Sequence, residues 1–178
     1  MLTRRPVFAR ILTIGSILSI AWSTPAMSDA PATQIGRFHL DAPLPRVFPL
    51  FTALGERAWA AGWEPVILSG DAERGSAFRT LSHSGVETTW VVVDYRPTEG
   101  RVSYARLANG SNIGLVDVHC TKVPGHGTDV SVRYTLTPVT DAGRAFVTAF
   151  LDAAHYAEMM DEWRLQASAA LERAASPN

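Results

Sequence analysis

The stretch Phe48-Pro-Leu-Phe51, followed by Gly55-Glu-Arg-Ala-Trp59 and Gly62-Trp-Glu-Pro65, decides the architecture, because it sets a short aromatic-rich helical region immediately ahead of an almost unbroken run of strand-forming sequence. Proline is tolerated in the first helical turn, where its missing donor would be unpaired anyway, so a helix is predicted to start near Pro45 and to carry Val47, Phe48, Leu50, Phe51 and Leu54. Pro49 keeps that helix short or kinked. A second helical piece, Glu56 to Ala61, is predicted to stop at Gly62.

On either side of this region the period is that of strands. Upstream, Gln34 to Asp41 alternates, with Ile35, Arg37 and His39 on one side and Gly36, Phe38 and Leu40 on the other. Downstream, Val66 to Ser69, Gly75 to Leu81, Glu87 to Tyr95, Arg101 to Ala108, Ile113 to Val123 and Thr128 to Pro138 are rich in Val, Thr, Tyr and Trp and are separated by Gly, Pro, Asn and Asp clusters. Consecutive strands with short loops pair antiparallel. In the last, Val130, Val132, Tyr134 and Leu136 share a face opposite Ser131, Arg133 and Thr135, so the sheet is covered on one side only. The cover is a predicted C-terminal helix running roughly from Asp141, as its cap, to Ala174; about 30 helical residues would span about 45 Å. Its apolar stripe is Phe146, Ala149, Phe150, Ala153, Tyr156, Ala157, Met160, Trp163 and Ala167, with Arg144, Asp152, His155, Glu158 and Glu162 opposite.

The ends carry other information. Arg4, Arg5 and Arg10 precede an apolar run from Ile11 to Trp22, and Ser23-Thr-Pro-Ala-Met-Ser28 offers small residues to a peptidase, so residues 1–28 read as a signal peptide cleaved after Ser28 or, alternatively, after Ala26. The run falls short of the ~20 apolar residues a spanning helix needs, although an uncleaved anchor is the competing reading. Either way residues 29–178 form one domain in a periplasmic or secreted setting, with no stable membrane span after cleavage. Removing the leader takes away three arginines and no acid, moving the formal charge from −1 to −4. With Lys122 the sole lysine, no basic patch for nucleic acid is expected. Cys120, between strand valines, reads as a buried, inert thiol.

The order strand, short helices, antiparallel sheet, long helix resembles the START-like, helix-grip superfamily, often labelled SRPBCC, which includes polyketide cyclases, lipid-transfer START domains and pollen-allergen-type proteins. The similarity is strongest to a bacterial subgroup, through the segments from Phe48 and Gly55 above, Gly75-Ser-Ala-Phe-Arg-Thr80, Trp90-Val-Val-Val-Asp-Tyr95, Val132-Arg-Tyr-Thr-Leu-Thr137, Ala142-Gly143 and Met160-Asp-Glu-Trp163, with a departure at Pro138-Val139. The resemblance implies an α+β fold, a curved sheet of about seven strands wrapped on the C-terminal helix, with a cavity between them. Phe78, Trp90, Tyr104, Tyr134, Phe150 and Met160 are the candidate lining, with core packing as the competing role. Trp59 and Trp63 either gate the mouth or pin the second short helix.

No catalytic constellation stands out. Asp117 and His119 share a strand face, but Val116, Val118 and Cys120 claim the apolar one, and a zinc site needs three or four convergent ligands. Neither a metal nor a cofactor is expected. His155 lies opposite the helix stripe, and His83 and His126 fall in turns. Glu56 and Arg57 are expected to pair with each other or with Arg79, and Glu87 and Arg106 to be solvated. The leading expectation is an exported carrier of a small hydrophobic or amphipathic molecule. A cyclase or dehydratase using the same cavity is the alternative, and it requires a titratable group inside. A protein-interaction module is a third reading.

Overall fold

The computed structural model describes residues 30–81 and 85–176, so the leader and His83 lie outside the described residues. Seven strands form one antiparallel sheet: β1 Ala32–Leu40, β2 Val66–Ser69, β3 Ala77–Leu81, β4 Glu87–Arg96, β5 Arg101–Ala108, β6 Asn112–Val123 and β7 Gly127–Pro138. Their order across the sheet is β1-β7-β6-β5-β4-β3-β2. Strands β2 to β7 are successive neighbours, as short connections dictate, and β1 closes onto β7 through a register that sets Gly36 against Val132 and Phe38 against Val130. A register shift between Val92 and Asp94 bends β4 and adds to the sheet's curl. The α+β helix-grip class is therefore the observed one.

The inner face follows the expected alternation. Phe38, Leu40, Val102, Tyr104, Val116, Val118, Cys120, Val130, Val132, Tyr134 and Leu136 are all buried in one core. The outer face is open, with Val91, Leu107, Ile113 and Leu115 exposed and Arg101 and Arg133 nearby.

The helical parts depart from expectation in three ways. First, the region after Pro43 is short, as Pro49 led one to expect, but only a single α-turn, α1 Leu44–Val47, is α-helical, and 3-10 turns at Phe48–Phe51 and Gly55–Ala58 take the place of the rest. Second, the C-terminal helix is two: α2 Asp141–Phe150 and α3 Ala153–Arg173. The break belongs to Asp152, whose carboxylate accepts hydrogen bonds from the backbone N–H groups of Ala154 (3.0 Å) and His155 (3.1 Å) and so caps a new helix. Re-phasing at the break leaves Phe146, Ala149, Ala153 and Ala157 exposed, while Tyr156, Met160, Ala167, Ala170 and Leu171 are buried. Third, Thr140 rather than Asp141 caps α2, accepting from Gly143 N and donating to Gly110 O at 2.8 Å. The start of α2 is thereby tied to the β5–β6 turn.

Helix α3 lies close against β1. A Cβ at Gly36 would collide with Met160 Cγ and crowd Tyr156, so the approach needs glycine there. The Tyr156 hydroxyl donates to Val132 O at 3.1 Å, fixing the helix over the β1–β7 side of the sheet.

Candidate functional site

Where α3 and the segment after the 3-10 turns cover β3 to β7, the resemblance implied a hollow. The structure replaces it with a nearly filled seam: about 20 Å³ remains, lined by Glu56, Trp63, Phe78, Trp90, Tyr104, Val116, Val118, Tyr134 and Trp163. That volume suits a single water. The physical reason is the size of the rings. Phe78 and Trp90, opposite each other on β3 and β4, stack at 5.8 Å and 5°. Trp63 stands edge-on to both, 6.1 Å from Phe78 and 5.9 Å from Trp90. Tyr104 closes the group, 5.9 Å from Phe78 and nearly perpendicular.

Four of the six candidate lining residues, Phe78, Trp90, Tyr104 and Tyr134, thus meet around the seam. The other two lie apart. Phe150 packs on the far side of Tyr134 at 5.1 Å and, with Phe146, Ala149 and His155, borders an open surface hollow of about 220 Å³. Met160 is buried between α3 and β1, against Gly36. The two tryptophans sit differently. Trp59 pins, wedged 5.8 Å from Phe51 and 5.3 Å from Trp163, with its indole N–H donated to Leu50 O at 2.7 Å. Trp63 forms part of the seam wall, its indole N–H donated to Ala53 O at 2.7 Å.

Sequence reasoning missed the polar groups inside. Glu56 does not pair with Arg57 or Arg79: Arg57 donates to Pro65 O at 2.9 Å, and Arg79 bridges exposed Glu87 at 3.3 Å. Instead the Glu56 side chain turns into the seam. Removal from water pushes its carboxyl up to about 8, and it has no hydrogen-bond partner among the described residues. Arg106, expected in solvent, is half-buried on the inner face of β5, two residues from Tyr104. Its guanidinium Cζ lies 5.2 Å from the Trp90 ring centre and 6.0 Å from that of Tyr134. Its Nε is buried with no hydrogen-bond partner, and desolvation lowers the guanidinium's pKa, partly countered by Tyr134.

The tyrosines differ. Tyr104 donates its hydroxyl to Phe51 O at 2.8 Å, and burial, then Glu56, raises its pKa far above the usual phenol range. The Tyr134 hydroxyl makes no protein hydrogen bond among the described residues. Burial pushes it up to about 12, with Arg106 pulling down and Glu56 pushing up, so it senses both charged groups. The seam therefore carries an acid and a phenol without protein partners in an aromatic frame, and a guanidinium lies beside it against two of the lining rings, Trp90 and Tyr134.

The remaining candidates stay outside. Asp117 and His119 are half-buried on the outer sheet face, Asp117 accepting from Ser103 Oγ at 2.6 Å, and burial followed by Arg101 lowers the His119 pKa. His155 is exposed beside Phe150, and His126 is exposed next to the β6–β7 turn. Among the described residues no cluster of three or more His, Cys, Asp or Glu is placed to hold a metal. Likewise, no described helix is long and apolar enough to cross a membrane.

Residues 36–166, which include every group of this seam, match the family described as polyketide cyclase / dehydrase and lipid transport. The chain belongs to this family. No curated protein matches it in sequence. Solved structures share the fold at low identity. A protein from Thermus thermophilus superposes with a TM-score of 0.60 at 13% identity, over 82% of this chain and 100% of its own. A Rhizobium leguminosarum protein gives 0.57 at 18%, over 83% and 99%. Norcoclaurine synthase from Thalictrum flavum, solved in complex with dopamine and hydroxybenzaldehyde, gives 0.56 at 11%, over 84% and 91%. Within the cyclase / dehydrase and lipid transport family, small-ligand binding or cyclase-type chemistry is the general expectation, and the seam is where this chain offers the groups for either.

Proposed function

We propose that this family member binds one small hydrophobic or amphipathic molecule in the seam between the sheet and α3, after export directed by its basic and apolar N-terminus. The observation that carries the reading is a set of polar side chains without protein partners: Glu56 and Tyr134 in the aromatic seam, and Arg106 beside it against the Trp90 and Tyr134 rings. A core built only for stability would pair or exclude such groups, because burying them unpaired costs free energy. Binding sites combine apolar walls with a few orienting polar groups in this way.

Admission of a guest requires the wall formed by residues 55–65 to move. That segment is braced within itself, since Arg57 bonds Pro65 O and the Trp59 and Ala60 amides both bond Glu56 O. Arg57, Ala58, Ala61, Gly62 and Glu64 are exposed. Swinging outward breaks the ring contacts of Trp63 and its bond to Ala53 O, the contacts of Trp59 with Phe51 and Trp163 and its bond to Leu50 O, and the 2.9 Å bond from Arg173 to Ala58 O. Apolar surface of the guest would then replace Trp63, at roughly 25 cal/mol per Å².

Native mass spectrometry of the protein recovered from the periplasm tests this reading. A co-purifying small molecule, released on unfolding, is the expected result. Its absence, together with no binding of any apolar probe, would refute it. Tyr134→Phe refines the test: a hydrogen bond from the hydroxyl to the guest is worth about 1 kcal/mol of affinity, whereas a packing role leaves affinity unchanged.

One observation favours the cyclase or dehydratase alternative. The Glu56 carboxyl at about 8 is matched to proton transfer near neutral pH and lies where a guest would sit. Under that reading a poly-β-ketone-type substrate is turned over by the wild type and only bound by Glu56→Gln.

A further inference from the structure

The guanidinium of Arg106 is the least explained group in the molecule. It projects from the inner face of β5, where its register neighbours are Trp90 on β4 and Gly114 on β6. One neighbour supplies a ring and the other no side chain at all. The guanidinium carbon lies over the rings of Trp90 and Tyr134, 5.2 and 6.0 Å from their centres. Ring faces attract a cation but satisfy none of its five in-plane N–H donors. Among the described residues no carboxylate bridges it: Glu87 is taken by Arg79, and Glu56 lies across the seam. The Nε–H is fully buried and unpartnered.

A half-buried cation whose Nε–H is enclosed without an acceptor is costly in the free protein, and the cost is recovered when a planar oxyanion arrives. Lysine or glutamine would serve less well, because the fork matches a carboxylate in two parallel bonds. We propose that the guest is an anion, a small apolar molecule bearing a carboxylate that docks on Arg106 while its apolar body lies along Trp90 and Phe78. This rests on the ligand-binding reading above and adds the class of ligand. Tyr134, between Arg106 and Glu56, then donates to the same carboxylate or to a second oxygen on the body of the guest.

Two isosteric probes separate the claims. Naphthalene-2-carboxylate and 2-acetonaphthone share a flat apolar body and differ in whether the planar substituent is an anion or a neutral ketone. Calorimetric titration of the mature protein at neutral pH is expected to show the carboxylate binding at least ten-fold tighter. Arg106→Met, which keeps an apolar chain on Trp90, is expected to abolish that preference and leave ketone affinity within about two-fold. Arg106→Lys should retain only part of it. Arg101→Gln, which removes a cation from the exposed face of the same strand, should change neither. Equal wild-type affinity for both probes, or a preference that survives in Arg106→Met or vanishes in Arg101→Gln, overturns the anion assignment and leaves the ligand-binding reading standing. Binding of neither probe overturns the anion assignment, and the ligand-binding reading falls with it when the native mass spectrum also shows no guest. The wild-type comparison needs no variant, so a misfolded substitution does not protect the proposal.

Discussion

Replacing Glu56 by glutamine isolates the energetic cost of the acid in the seam. In the fold the carboxyl holds its proton to about pH 8, against an ordinary value of 4.5. Below about pH 4.5 it is neutral in both the folded and unfolded chains, so it costs nothing beyond burial. Between the two values the unfolded chain has released the proton and the fold has not, so the unfolded state binds fewer protons and stability falls as pH rises. Above about 8 both states are ionised and the loss is complete. At about 1.36 kcal/mol per unit the gap sets an upper bound near ~5 kcal/mol. The residue is only half-buried, and solvent screening brings the expected loss to about 2–3 kcal/mol. The substituted amide stays neutral throughout and keeps the shape. Urea unfolding followed by tryptophan fluorescence, run from pH about 4.5 to about 8.5, should therefore show Glu56→Gln matching the wild type at the acid end and exceeding it by about 2–3 kcal/mol at the alkaline end. His39, whose bond to Asp129 raises its pKa, and His119 also titrate in this range, but both are common to the two proteins and cancel in the difference. Parallel profiles across the whole range would refute a desolvated Glu56, and with it the acid–base alternative.

Two further outcomes follow from the geometry. Asp152→Ala removes the acceptor of two amide bonds at the start of α3 and should lower stability by about 1 kcal/mol in urea, with Asp152→Asn retaining most of it; a change under about 0.3 kcal/mol would mean the helix break has another cause. The Cys120 thiol, buried on β6 and pushed up to about 12 by desolvation, should resist aromatic disulfide reagents in the native protein and react only as the chain unfolds; rapid stoichiometric labelling in buffer would contradict its placement.

The strands were legible because their period of two survives in the long segments, from Phe38 and Leu40 in β1 to Tyr134 and Leu136 in β7, although the short β2 is exposed throughout. The helix break was less so. A stripe counted at 3.6 residues per turn runs smoothly past Leu151-Asp152, and only the residue types signal the stop: Asp at a cap position, with apolar Leu151 before it and Tyr156 four residues into the next helix, the pattern of a hydrophobic staple. Glu56 could not have been read, since the 3-10 turn at Gly55–Ala58 has no longer period to say where its side chain points.

Arg106 is the instructive case, because alternation had already placed it. If Tyr104 faces inward, the residue two further along β5 must share that face, as Val102 and Ala108 do. The expectation of a solvated arginine came from the habit that charges lie outside, and it overrode the geometry of the strand. Where the two rules conflict, the covalent alternation of a paired strand cannot yield without breaking the register with Trp90 and Gly114, whereas the solvation habit yields whenever something else meets the charge. A charge that local chemistry would place outside but strand geometry holds inside is therefore the sequence-level mark of the site, and here the same reasoning that exposes the misreading points to a guest able to answer Arg106.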